Sequence, residues 1–87
     1  MTAVRRALAL LAVPWFLWSA GLGEPERLAR FETLPACMKA AGEYAKTMKV
    51  LARSDADIVR GPDSIAVAGA RSGSVYAHFR CSPITPR

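Results

Sequence analysis

Residues 75–81 read VYAHFRC, and this stretch decides the fold more than any other part of the chain. Successive side chains alternate in character with a period of two, as they do in a β-strand with one buried face. We therefore expect an inward face of apolar side chains and an outward face of polar and aromatic ones. The inward set is Val75, Ala77, Phe79 and Cys81, and the outward set is Tyr76, His78 and Arg80.

Two more strands are predicted just before this one. Residues 58–60 and 65–67 are short β-rich pieces separated by the turn residues Gly-Pro-Asp at 61–63, and residues 70–73 form a second turn. Opposed residues of an antiparallel pair share a face. Burying the apolar side chains together therefore predicts two pairs, which are Val67 with Ala77 and Ile65 with Phe79.

A helix is predicted upstream of the strands, from about Leu34 to about Arg53. Thr33 is suited to the N-cap and Pro35 to the first turn. The apolar stripe expected to face the sheet is Cys37, Ala41, Tyr44, Met48 and Leu51, at helical spacing. The charged stretch at 24–32 is expected to be a short helical lead-in to this helix.

The two cysteines are predicted to form a disulfide. Cys37 lies in the apolar stripe of the helix and Cys81 on the inward face of the last strand, so both side chains point into the same interface. No Cys-x-x-Cys spacing is present that would favour a redox function. The predicted fold is α+β: one amphipathic helix on a three-stranded antiparallel sheet in the order α-β-β-β, with one disulfide.

The N-terminal segment predicts export or membrane anchoring. Arg5 and Arg6 precede an uncharged run at 7–18, and small residues cluster at 19–23, which is typical of a helical signal peptide cleaved after Gly21 or Gly23. The alternative is a retained anchor helix, because residues 7–23 carry no charge and Trp15, Phe16 and Trp18 suit a membrane interface. The predicted organisation is thus a signal or anchor at 1–23, a domain at 24–81 and a Pro-containing tail at 82–87.

Charge and composition restrict the classes of partner. The 87 residues carry a net charge of +5, which falls to +3 without Arg5 and Arg6, too small an excess to indicate nucleic acid. Arginine outnumbers lysine, as in many GC-rich bacterial genomes. The single histidine and two distant cysteines do not form a metal-ligand set, and no motif places a nucleophile beside a base. We expect neither a metal, nor a cofactor, nor catalysis.

Two surfaces are candidates for binding. The first is the outward face of the last strand (Tyr76, His78 and Arg80), which no predicted helix covers, and its expected partner is another envelope protein. The second is a basic stripe on the helix that would make weak contact with anionic lipid headgroups; it consists of Lys39, Lys46, Lys49 and Arg53.

The functional prediction follows from export and from the absence of catalytic motifs. One hypothesis is a small non-enzymatic bacterial binding module, periplasmic or secreted. The alternative is an accessory subunit of a membrane complex, held in the inner membrane by the retained N-terminal segment with its domain outside the cytoplasm. The sequence determines neither the ligand nor the oligomeric state.

Overall fold

The computed structural model describes residues 13–20, 23–52 and 55–86. In chain order these residues form a strand hairpin, a helix and a three-stranded meander. The strands are β1 (Trp15–Ser19), β2 (Glu26–Phe31), β3 (Ala56–Arg60), β4 (Ser64–Gly69) and β5 (Val75–Ser82), and the helix α1 (Leu34–Leu51) lies between β2 and β3.

All five strands belong to one antiparallel sheet in the order β2-β1-β5-β4-β3. The first and last of these five strands therefore pair with each other inside the sheet, and β2 and β3 form the two edges of the sheet that the described residues build. The helix α1 packs on one face of the sheet and contacts all five strands, β4 and β5 most extensively.

The prediction of a three-stranded sheet is wrong, because two additional strands precede the helix. The stretch at 24–32, expected to be helical, contains the edge strand β2. Residues Trp15–Ser19, expected to belong to a signal or anchor helix, form the interior strand β1. Bulky aromatic side chains suit a pleated strand as well as they suit a membrane interface, and pairing on both sides favours the strand here.

The meander confirms the predicted strands and their register. Ile65 pairs with Phe79 and Val67 with Ala77. In the second hairpin the Gly69 amide donates to the Ser74 carbonyl at 2.8 Å, and Gly73 adopts a positive φ of 69°. The loop at 70–73 is therefore the predicted turn, which needs glycine at its left-handed position.

The helix begins as predicted and ends slightly earlier. The Thr33 Oγ1 accepts a hydrogen bond from the Ala36 amide at 3.2 Å, which makes Thr33 the N-cap. The C-cap is Ala52. The prediction for the end of the apolar stripe is wrong, because Ala45 is buried whereas Leu51 is 75% exposed. A row of residues four apart (37, 41 and 45) meets the sheet, and its alanines allow a close approach.

The core lies between α1 and the sheet. It consists of Leu17, Cys37, Ala41, Ala45, Ala56, Ile65, Val67, Phe79 and Cys81. The predicted disulfide between Cys37 and Cys81 is confirmed, with the two Cα atoms 6.1 Å apart. It links the helix to β5, and Leu17 of β1 pairs directly with Cys81. The segment read as an export signal thus contributes a fully buried side chain beside the disulfide.

Candidate functional site

The face of the sheet opposite the helix is called the open face, since no helix covers it within the described residues. Strand register identifies its members. Phe16 pairs with Arg30 and with Ser82, and Trp18 pairs with Arg27 and with Arg80, so these side chains share one face. Leu17 lies between the two aromatics and points to the core. On the β2-β1-β5 half of the sheet, the open face therefore has two aromatic side chains on β1 and arginines on both neighbouring strands.

Three arginines surround two aromatic rings on β2, β1 and β5, and this set is called the arginine–aromatic patch. The Phe16 and Trp18 rings pack edge to face with their centroids 6.3 Å apart. The Arg27 guanidinium lies over the Phe16 ring, 4.9 Å from its centroid, within the range of a cation–π interaction. The patch consists of Phe16, Trp18, Arg27, Arg30 and Arg80.

Trp18 is the rigid centre of the patch. Its side chain is only 9% exposed although it lies outside the core cluster, and its indole N–H donates to the Ser82 carbonyl at 3.3 Å. A buried indole with its N–H satisfied has little rotational freedom. Arg27 and Arg80 pair with Trp18 on the two neighbouring strands, so both arginines flank a side chain of fixed position.

Arg80 also belongs to the outward set predicted for β5. Its Nε atom is buried without a hydrogen-bond partner among the described residues, and its closest carboxylate oxygen, on Asp63, is 3.9 Å away. Both side chains are more than 40% exposed, so this ion pair is weak. This weak ion pair does not neutralise Arg80 in full, so the side chain contributes positive charge to the open face.

The predicted outward set of β5 is divided by a bulge. His78 pairs with Ala66 and Arg80 with Ser64, which places both on the open face. The register shifts between Val67 and Ala68, and Tyr76 packs against the core cluster instead. Its hydroxyl lies 3.0 Å from the point that a Cβ on Gly69 would occupy. The structure therefore brings His78 and Arg80 together and separates Tyr76 from them.

The basic stripe lies on the exposed surface of α1. Lys39, Lys46 and Lys49 are exposed, and the Lys46 Nζ lies 3.8 Å from a carboxylate oxygen of Glu43. Arg53 lies outside the described residues. The three described lysines are thus solvent-exposed, whereas Arg27 of the patch lies over an aromatic ring.

The pair of aspartates after the helix has structural roles. The Asp55 carbonyl accepts from the Ala70 amide at 2.9 Å, and Asp57 lies in β3 with its carboxylate accepting from the Ile58 amide at 3.2 Å. Together with Arg71 they line a shallow hollow of about 460 Å³. Within the described chain no group of three or more His, Cys, Asp or Glu side chains could hold a metal ion.

Sequence reasoning missed Arg27 and Arg30 because it assigned their segment to a helix. The spacing of three between Leu28 and Phe31 fits a helix, and only the bulge at Leu28 lets both side chains pack against the core from a strand. Phe16 and Trp18 were assigned to the signal or anchor. Because residues 15–18 are all apolar, the sequence does not show which of these side chains face the core and which face outward.

No family model, no curated protein and no solved structure matches this chain. The arginine–aromatic patch is therefore interpreted from its own residues. None of the helices in the described ranges combines the length and hydropathy needed to cross a bilayer. The chemistry of the patch is therefore the basis for any functional proposal.

Proposed function

We propose that this protein is a non-enzymatic, exported binding module that contacts another protein of the cell envelope through the open face of its sheet. The observation that carries the proposal is the arrangement of Arg27, Arg30 and Arg80 around Phe16 and Trp18. A sheet with a helix on only one side leaves its other face to solvent or to a partner. Arginine and aromatic side chains are also enriched at protein interfaces.

Photocrosslinking in the native cells tests which surface is used. A photoreactive benzoylphenylalanine at the position of Ala66 or His78 lies on the open face, and the same residue at the position of Lys46 lies on the exposed side of α1. We expect a crosslinked partner from the first two positions and none from Lys46. Crosslinks from Lys46 alone would transfer the proposed contact to the basic stripe and contradict this proposal.

A second candidate is an accessory subunit of a membrane complex that keeps its N-terminal segment. One observation favours it: cleavage after Gly21 or Gly23 would remove Trp15–Ser19, which is the strand between β2 and β5. Whichever location applies, we propose that Trp15–Ser19 stays in the mature protein. A periplasmic or secreted form would then be cleaved before Val13 or not at all.

The intact mass of the protein purified from its native cells separates these cases. We expect a mass that includes Trp15–Ser19 in every fraction. A membrane fraction that retains Met1 supports the anchored subunit, and a soluble fraction supports the free binding module. A mature chain that begins at Leu22 or Glu24 would contradict the retention of β1.

A further inference from the structure

The strand β2 presents a free edge of the sheet. It pairs with β1 on one side, and on its other side no described residue forms a strand partner. Such an edge carries unpaired backbone donors and acceptors, which another extended chain could use for strand addition. Arg27 and Arg30 are both exposed along this edge. Glu26, the other charged residue of β2, pairs with Ser19 and lies on the opposite face. On the side of the open face, the charge of this edge is therefore that of the two arginines.

A β-bulge places these two arginines on the same face. Residues three apart on a regular strand point to opposite faces, but the register shifts between Leu17 and Trp18, and Leu28 is the extra residue. Arg27 pairs with Trp18, and Arg30 pairs with Phe16. The two arginines are thus spaced like residues i and i+2 of a regular strand, about 7 Å apart.

A shallow hollow of about 320 Å³ lies at this edge, lined by Phe16, Arg27, Leu28, Ala29 and Arg30. The Arg27 guanidinium over the Phe16 ring leaves its N–H groups free to bind an anion. Because the ring restricts this side chain before binding, less conformational entropy is lost when a carboxylate is bound.

We propose, building on the function proposed above, that the β2 edge binds an extended acidic segment of a partner protein by strand addition. The backbone of the segment pairs with β2, and carboxylates two residues apart, on the side of the open face, bind Arg27 and Arg30. The spacing of alternate side chains on a strand, about 7 Å, matches the spacing of the two arginines. Arginine binds carboxylates in a bidentate manner.

Other occupants fit this edge less well. A second β2 would place arginines beside arginines, and the β3 edge offers only one carboxylate, Asp57, followed on that face by Val59. A nucleic acid base has no free stacking platform, because Trp18 is 9% exposed and Arg27 covers one side of the Phe16 ring. A membrane would need apolar side chains that project beyond the arginines.

Calorimetric titration of the full chain with a synthetic peptide tests the proposal. The probe is an acetylated and amidated seven-residue peptide of alternating glutamate and valine, and its control replaces glutamate with lysine. We expect the glutamate peptide alone to bind. Arg27→Ser and Arg30→Ser should each weaken binding at least tenfold, which is about 1.4 kcal/mol. Arg71→Ser, which removes an exposed arginine in the loop after β4, should leave binding unchanged.

Backbone methylation separates strand addition from simple charge attraction. One peptide is N-methylated at its glutamates and another at its valines, so at least one of them lacks the amides that would pair with β2. We expect at least one of these peptides to lose binding. Retained binding by both, or binding that survives the double substitution of Arg27 and Arg30, would overturn the proposal.

Outcomes in which the glutamate peptide does not bind distinguish this inference from the proposed function. If the two arginine substitutions abolish self-association, binding to single-stranded DNA or binding to anionic vesicles while peptide binding is absent, the proposed occupant is wrong. Crosslinks from Ala66 and His78 without peptide binding would overturn this inference and leave the proposed open-face function standing. Both arginines are exposed, and circular dichroism verifies that the variants keep the fold.

Discussion

Two glycines of this chain have opposite environments although both are buried. A Cβ added to Gly42, in the middle of α1, would meet Arg60 and Ile65 atoms at 3.7 to 3.9 Å, which is ordinary contact. A Cβ added to Gly69, at the end of β4, would collide with Ser72 and approach the Tyr76 hydroxyl to 3.0 Å. Only Gly69 is therefore required by its neighbours.

This contrast predicts opposite effects of the same substitution. Gly42→Ala should raise the free energy of unfolding by up to about 1 kcal/mol, because alanine favours the helix more than glycine does. Gly69→Ala should lower it by about 1 to 3 kcal/mol, because the added methyl group overpacks the hairpin. Urea unfolding followed by circular dichroism measures both, and equal effects of the two substitutions would contradict the packing described for them.

The disulfide between Cys37 and Cys81 also contributes to the free energy of unfolding. It closes a loop across a sequence separation of 44, for which the chain-entropy model gives about 4 kcal/mol. We expect the double substitution of Cys37 and Cys81 by alanine to lower the free energy of unfolding by about that amount. A reducing agent should have a similar effect on the wild-type chain and none on the double variant, which serves as the control.

Among the secondary-structure elements, β1 gives a direct prediction for stability. Leu17 is fully buried in the core, whereas Val13, just before the strand, is 56% exposed. Leu17→Ala should therefore cost about 2 to 5 kcal/mol of stability. The matched variant Val13→Ala should change stability by less than about 0.5 kcal/mol. If Leu17→Ala had no effect in denaturant titration, the burial of Leu17 between α1 and the sheet would be contradicted.

The sequence predicted the helix and the meander because their signals are local. Thr33 and Pro35 mark the start of α1, and alternation along β5 gives the register that the structure confirms. The hairpin before the helix could not be found in this way. Its first strand is apolar on both faces, as an interior strand often is, and periodicity does not distinguish such a run from a membrane segment.

Both bulges change the composition of the open face. Alternation along β5 places Tyr76 beside His78, but the register shift at Val67 turns Tyr76 toward the core cluster. In β2 the shift brings Arg27 and Arg30 to one face instead of separating them. A register shift is set by pairing with another strand, so the sequence of a single strand cannot reveal it.

At the scale of the whole molecule, the two halves of the sheet are joined through β1 and β5. A chain that begins at Gly23 would lose the strand between β2 and β5 together with the side chain of Leu17. We expect this truncated chain to lack a cooperative unfolding transition. A chain that begins at Val13 is the control, and we expect it to keep the transition. Equal thermal melting of the two truncated chains would contradict an essential role of β1.

The pairing of β1 with β5 also determines when this protein can finish folding. Phe16 pairs with Ser82, so the side of β1 that faces β5 has no partner until β5 has been synthesised. Loop closure over such a distance is slow compared with the formation of a local hairpin or helix. If the N-terminal segment directs export, as proposed above, the side of β1 that faces β5 is still unpaired when the segment is recognised, and the same residues complete the sheet once β5 has been synthesised.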